Sequence, residues 1–389
     1  MTVEFIGMIR TADASEIRPP RGPEIDPGYT REFARAHEEA GFDRVLIGYH
    51  SWDADGFSVA SYAAAHTDRL GLLLAHRPGF VSPTLAARKL ATLDRFTGGR
   101  LALHVISGAS DTEQRRDGDY AGKPERYRRT DEYLEIVRRV WAAEGPIDHG
   151  GEFYRFEGAH SKVKPVRGRL PIYFGGSSAD AYRVGGRHAD VYALWGEPLA
   201  ETAEQIASVR ASAAAHGRDP GELGISVSFR PILGRTDEEA WERAHGILAT
   251  IEGRTSPTGR DGAMLSGYPA DERGVGSHRL LAAADKSERH DRALWTATAR
   301  ATGAAGNSTA LVGSPETVAQ ALLDYIDIGV TTILIRGYEP LEDAVDYGRR
   351  LLPLVRSELA AREASRPGDS RNDPLQSTGA GAGSETAAR

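Results

Sequence analysis

Residues 170–195 read LPIYFGGSSADAYRVGGRHADVYALW. Leu170 to Gly175 is an apolar run of strand length, Gly175-Gly176-Ser177-Ser178 carries turn and helix-cap residues, Ala179 to Gly186 has helical spacing, and Asp190 to Trp195 is a second apolar run. Two short apolar strands joined by one helix make a βαβ unit, and a βαβ unit pairs its strands in parallel.

The same alternation extends in both directions. Val3 to Ile9, Phe42 to Gly48, Arg69 to Ala75 and Arg100 to Ser107 precede this unit, and Leu223 to Phe229 and Thr331 to Arg336 follow it. Together with the first two they make eight strands, the number that closes a (β/α)8 TIM barrel, so the expected fold class is α/β. The helix after the third strand is the best marked, with Ser82 as N-cap, Pro83 in the first turn and Gly98-Gly99 as the stop. Tyr127, Leu134, Val137 and Trp141 share one helical face, and Leu341, Val345, Leu352 and Val355 mark a last amphipathic helix.

Three segments interrupt the pattern. Asp148 to Phe156, around His149-Gly150-Gly151, reads as a hairpin inserted before the fifth strand. Residues 253–308, rich in Gly, Arg, Asp and Ala, are too long for a plain connection and read as a partly helical lid. Residues 365–389 are rich in Gly, Ser and Ala and read as a disordered tail, which leaves one barrel domain over residues 1–364.

Composition narrows the function. The 389 residues are 40% hydrophobic and 26% charged, as in an ordinary globular protein. A net charge of -7 with no basic stripe speaks against a nucleic-acid surface. The absence of cysteine excludes thiolate nucleophiles and disulfides, and the 12 histidines show no metal-ligand spacing, so no metal is expected. Neither a leader pattern nor a membrane span is visible, and a cytoplasmic protein is the expectation.

Several uncommon strings occur in barrel order: His76-Arg77-Pro78-Gly79-Phe80, Ala91-Thr92-Leu93-Asp94-Arg95 with Gly98-Gly99-Arg100, Val105-Ile106-Ser107-Gly108, and Glu125-Arg126-Tyr127. They continue with Tyr173-Phe174-Gly175-Gly176-Ser177-Ser178, Trp195-Gly196-Glu197-Pro198, Thr309-Ala310-Leu311-Val312-Gly313 and Gly337-Tyr338. In this order they resemble the alkanesulfonate monooxygenase branch of the bacterial luciferase-like flavin-dependent monooxygenase family, over roughly residues 3 to 356.

The resemblance implies a two-component system. A separate NAD(P)H-dependent flavin reductase supplies reduced FMN (FMNH2), and the barrel uses it with O2 to oxidise a small molecule. In the sulfonate branch the products are sulfite and an aldehyde. A homodimer or homotetramer is implied as well.

The implied sites fall at strand ends. Gly175, Gly176, Ser177 and Ser178 precede a helix N-terminus, where free amides and hydroxyls suit the FMN phosphate, although the same residues would also serve a plain capped turn. Tyr127 matches a family position whose hydroxyl reaches this phosphate, or is simply a core tyrosine. Ala75 and His76 match a peptide, sometimes cis, beside the flavin ring, and Ser107 a donor to that ring.

Tyr338 matches a substrate-pocket tyrosine expected to act as proton donor. Arg230 and Arg336 are expected to hold an anionic group, or else are ion-paired rim residues. Trp195 walls the pocket or packs in the core, and His50, Trp52 and Asp53 shape the substrate side.

The chain departs from the branch on that substrate side. Its Arg-x-His pair reads Ser228-Phe229-Arg230 here, and its pocket histidines and cysteine fall at Thr11, Pro340 and about Asp53. A carboxylate at Asp53 repels a nearby sulfonate. A deazaflavin (F420)-dependent oxidoreductase of the same superfamily, or a flavin-binding protein without catalysis, are the alternatives.

Overall fold

The computed structural model of the chain describes residues 3–20, 22–108, 110–255, 272–306 and 308–365. The strands are β1 Glu4–Ile9, β2 Arg44–Ile47, β3 Gly71–His76, β4 Leu101–Val105, β5 Ile147–Gly150, β6 Arg155–Ala159, β7 Ile172–Gly175, β8 Val191–Trp195, β9 Gly224–Leu233, β10 Arg289–His290, β11 Leu294–Trp295, β12 Ala310–Gly313 and β13 Thr332–Ile335. The helices are α1 Pro27–Glu39, α2 Gly56–Ala64, α3 Pro83–Phe96, α4 Asp111–Arg116, α5 Lys123–Ala142, α6 Ala179–His188, α7 Leu199–Ala215, α8 Asp237–Thr255, α9 Val275–Lys286, α10 Ala297–Ala301, α11 Pro315–Asp327, α12 Pro340–Asp346 and α13 Leu352–Ala364.

Eight strands pair in parallel in the order β1-β2-β3-β4-β7-β8-β9-β13 and close through β13 onto β1. They are the eight expected runs, and the fold is a (β/α)8 TIM barrel. Strand alternation sends Leu72, Leu74, Leu101 and Leu103 outward into the helix layer, where they share a core with Leu90, Leu134 and Val137. Ile6, Leu73, Ala102 and Tyr173 face inward and fill the lumen. Below them Glu4 accepts from Arg44 Nε at 2.6 Å and from the Tyr173 hydroxyl at 2.5 Å, which seals the closed end.

Strand β9 runs four residues past the expected Phe229. Its first half pairs with β8 and β13, and its second half, Arg230–Leu233, pairs with β12 along the edge that β8 has left. Thr309 Oγ1 donates to the Gly196 carbonyl at 2.7 Å where the two partners meet. Antiparallel β11 and β10 extend β12 outward. Ile232, Val312, Ala240, Ala244 and Trp295 build a second core between this extension and α8.

The expected hairpin is β5–β6. The expected lid contains α9, β10, β11 and α10, while residues 256–271 and 307 lie outside the described residues. The expected tail, from residue 366 on, lies outside them too. The last helical pattern divides into α12, a π turn over Tyr347–Leu351, and α13.

Candidate functional site

The C-terminal ends of the barrel strands, with the loops after them, form the open mouth, and at the end of β7 four expected residues come together. Gly176 has φ +137°, and a Cβ there would lie 2.7 Å from Ala181 Cβ and 3.3 Å from the Tyr127 hydroxyl, so only glycine leaves this cradle open. Ser178 caps α6 by accepting from the Ala181 amide at 3.2 Å. Tyr127 is 6% exposed, and burial raises its pKa although Ser178 lies against its hydroxyl.

The start of α9 closes over the cradle. A Cβ on Gly276 would lie 3.0 Å from the Trp195 ring and 3.7 Å from Ser177 Oγ, and one on Gly274 would lie 3.4 Å from Lys123 Nζ. Helix α9 is fastened there by Arg279, which donates to buried Glu197 at 3.0 Å and to Glu204 at 3.0 Å. Free helix amides, two hydroxyls, a phenol and an ammonium group are the donor set that a phosphate requires.

At β3 and β4 the alternation separates residues that the sequence groups together. Ala75 is on the inward side with Leu73, whereas His76 points outward and its Nε2 lies 2.6 Å from the Tyr133 hydroxyl. Burial, aided by Lys89, lowers the His76 pKa to about 4 and keeps the ring neutral. The peptide bonds among the described residues are all trans, including Ala75–His76.

Ser107 lies 3.2 Å from Thr130 Oγ1. Thr130 Oγ1 also lies 2.8 Å from the Arg126 carbonyl, so the Ser107 hydroxyl sits at the end of a short hydrogen-bonded chain at the close of β4. His104, which sequence reasoning missed, occupies the inward side of β4 opposite Ala75 and Tyr173. Its Nδ1 is buried without a hydrogen-bond partner, and burial lowers its pKa to about 4. The alternation of β4 was signal enough to place it in the lumen.

The residues expected on the substrate side form two groups. Arg230, 2% exposed, donates to both carboxylate oxygens of Glu16 at 2.9 and 3.0 Å and to the Gly337 carbonyl at 2.9 Å. Arg336 Nη2 adds a third contact to Glu16 at 3.1 Å. Burial works to raise the Glu16 pKa, but Arg230 and Arg336 outweigh it and hold the carboxyl well below its usual range. Burial and the neighbouring Arg230 bring Arg336 down to about 10. Of the two readings open for these arginines, the ion-paired one is realised. Tyr338 is 1% exposed and belongs to the second core, with its hydroxyl toward Thr298, so it does not open onto the mouth.

The second group lies at the ends of β2 and β3. The His50 and Trp52 rings stack at 4.9 Å, and Asp53 is exposed with its amide closing a turn onto the His50 carbonyl at 3.2 Å. Arg77, also missed, continues the inward row Leu73, Ala75 and donates to Glu113 of α4 at 2.7 Å. Burial opposes ionisation of Glu113, but His50 and Arg77 bring its pKa to about 2. No sequence spacing ties Glu113 to Arg77, since α4 belongs to a different loop.

A closed parallel barrel with a glycine-serine turn under Tyr127 after one strand, and aromatic and charged side chains around its mouth, belongs to the barrel architecture whose ligand sites sit at the C-terminal ends of the strands. The chain belongs to the luciferase-like monooxygenase family, whose model matches residues 4–332. Among solved structures it is similar to riboflavin lyase RcaE with modified FMN and riboflavin, at TM-score 0.75 and 22% identity over 92% of each chain. It is also similar to the EDTA monooxygenase EmoA from Chelativorans sp. BNC1, at TM-score 0.74 and 18% identity over 92% of this chain and 94% of that one. An F420-dependent secondary alcohol dehydrogenase shares the fold at TM-score 0.67 and 16% identity, over 92% of this chain and all of the other.

Proposed function

We propose that the protein is an FMNH2-dependent monooxygenase of a two-component system, acting with O2 on a small organosulfur compound or a related polar molecule. The observation that carries this reading is the cradle of Gly175, Gly176, Ser177 and Ser178 beneath Tyr127, in a chain of this family. Its donors fit the FMN phosphate, and Lys123 with the α9 N-terminus faces the same space. Reduced FMN, when bound, supplies the electrons that activate O2 for insertion of one oxygen atom into the substrate.

The protein's own residues bind and exclude. Ser177, Ser178 and the Gly176 amide would hold the phosphate, the small Ala75 side chain would leave space on the inward side of β3, and Trp195 with α9 would keep bulk water from the mouth. His104, kept neutral by burial, would offer its unpartnered Nδ1 to a polar atom of the cofactor if one reached it. A flavin reductase partner, a homo-oligomer and a cytoplasmic setting belong to the same reading.

Oxygen uptake with enzymatically supplied FMNH2, across sulfonates, sulfones and related compounds with mass-spectrometric product analysis, tests it. Similarity to the F420-dependent dehydrogenase favours a second reading, hydride transfer with a deazaflavin, which requires no oxygen uptake with FMNH2. Flavin binding without turnover of any compound would leave a binding protein.

A further inference from the structure

Arg10 follows β1 on the inward row that runs through Ile6 and Met8, and Arg336 holds the matching place on β13, two residues past Leu334, which is in register with Ile6. Arg10 is partly exposed and makes no hydrogen bond or ion pair with the described residues. The carboxylates around it are engaged by other arginines. Its charge acts on Glu16, but Glu16 spends both oxygens on Arg230 at 2.9 and 3.0 Å and meets Arg336 at 3.1 Å. Asp13 and Glu342, whose charges reach the Tyr29 hydroxyl as that of Arg10 does, are held by Arg18 at 2.9 and 3.1 Å.

Like charge crowds the place. Burial, then Arg230, then Arg10 bring the Arg336 pKa down to about 10. A solvated arginine turns away from other cations, yet Arg10 lines the same cavity as Arg336. That cavity, about 400 Å³ counted to its open side, lies between the loops after β1 and β13 and the helices α1 and α12. Arg10, Ser15 and Arg336 are on its polar side, and Phe33, Ile335 and Ala344 form an apolar wall. A guanidinium without a counter-ion beside an apolar wall suits a ligand with one negative charge and a small carbon body.

We propose that Arg10 receives a small organic monoanion, a carboxylate or a sulfonate, in this cavity, with the carbon end of the ligand against the apolar wall. One free guanidinium balances one negative charge, and its planar fork meets two oxygens of such a group. The site lies across the closed barrel from the cradle after β7 and needs no flavin to form.

The test is calorimetric titration of the full chain without flavin, at low ionic strength, with ethanesulfonate as the anion and ethyl methyl sulfone as a neutral molecule of similar size. Ethanesulfonate should bind about tenfold more tightly than the sulfone and should raise Tm. Arg10→Gln should abolish that preference and leave the Tm of the unliganded protein unchanged, since Arg10 has no partner to lose among the described residues. Arg10→Lys, which keeps the charge without the fork, should weaken ethanesulfonate less than Arg10→Gln does. Ser177→Ala should leave the affinity as it is, which separates this site from the phosphate cradle. The proposal is overturned if the sulfone binds as tightly as ethanesulfonate, if folded Arg10→Gln binds ethanesulfonate like the wild type, or if Ser177→Ala abolishes the binding. FMN affinity, measured separately, reports on the cofactor reading, and its absence would leave this titration intact.

Discussion

The guanidinium of Arg230 lies 3.6 Å from the centre of the Tyr338 ring, with Glu16 gripping its far edge through both carboxylate oxygens. The stack ties the loop after β1 to the loop after its neighbour β13. Arg254 strengthens it from α8 by donating to the Ser15 and Glu16 carbonyls at 2.9 and 3.0 Å. A residue engaged on its face and on both terminal nitrogens serves the architecture first.

Arg230→Ala should therefore unfold more easily rather than simply bind substrate less well. It leaves Glu16 short of its main counter-ion in a buried setting, a loss of about 3–5 kcal/mol. Chemical denaturation checks this, and Glu16→Ala combined with Arg230→Ala should recover part of the loss. Stability equal to wild type, with a raised substrate KM, would restore Arg230 to the substrate side.

The two serines after β7 should separate in their effects. Ser177→Ala should weaken reduced-FMN binding by about 1–3 kcal/mol with stability unchanged, since its hydroxyl serves no helix cap. Ser178→Ala should show the same binding loss together with about 1 kcal/mol of stability, because Ser178 also caps α6. Anaerobic titration with FMNH2 and thermal melts distinguish them, and unchanged affinity in both removes the phosphate from this cradle.

Acid should destabilise the protein before its carboxylates titrate. Burial lowers His37, His76 and His104 to about 4 from an ordinary 6.5. The unfolded chain then binds more protons than the folded one between pH 6.5 and 4, so stability falls as pH drops through that window. Each histidine contributes roughly 3 kcal/mol at the limit. Glu16 and Glu113, held low, lose their contribution only below about 4.5. Urea denaturation at pH 7.5 and pH 5 should differ by several kcal/mol, and a flat profile refutes the assignment.

Helix α9 should loosen when its tie is cut. Arg279→Ala leaves buried Glu197 with its carboxyl raised further by burial, and hydrogen exchange over residues 275–286 should speed up about tenfold with little change in global Tm. In the intact protein the same amides should exchange faster than those of α3 and α5, and slow when FMN binds. Protection equal to the barrel strands without ligand counts against a lid.

The barrel was legible because each strand is a short apolar run set between helical stretches, and nothing in its core breaks the rule. The far half of β9 was not, because Pro231 reads as a stop. In the structure its missing N–H falls on the edge where β13 has already ended, so no ladder bond is lost. In the candidate site, the turn at Gly176, the cap at Ser178 and the buried place of Tyr127 on its helix face were readable because the turn, the cap and the helical spacing are each local. The inward or outward sense of His76 and His104 follows from counting by two along β3 and β4. Glu16 and Glu113 were not readable, since each meets its arginine through loops far apart in the chain.

A strand that serves one sheet with its first half and another with its second makes the insertion inseparable from the barrel. Trimming residues 237–313 to a short linker would strip Arg230–Leu233 of β12 and leave a bare, apolar edge open to any passing strand. Shortened forms of this protein would then aggregate by recruiting one another rather than fail to fold. Exchanges of material between relatives should leave β9 and β12 together as a cassette.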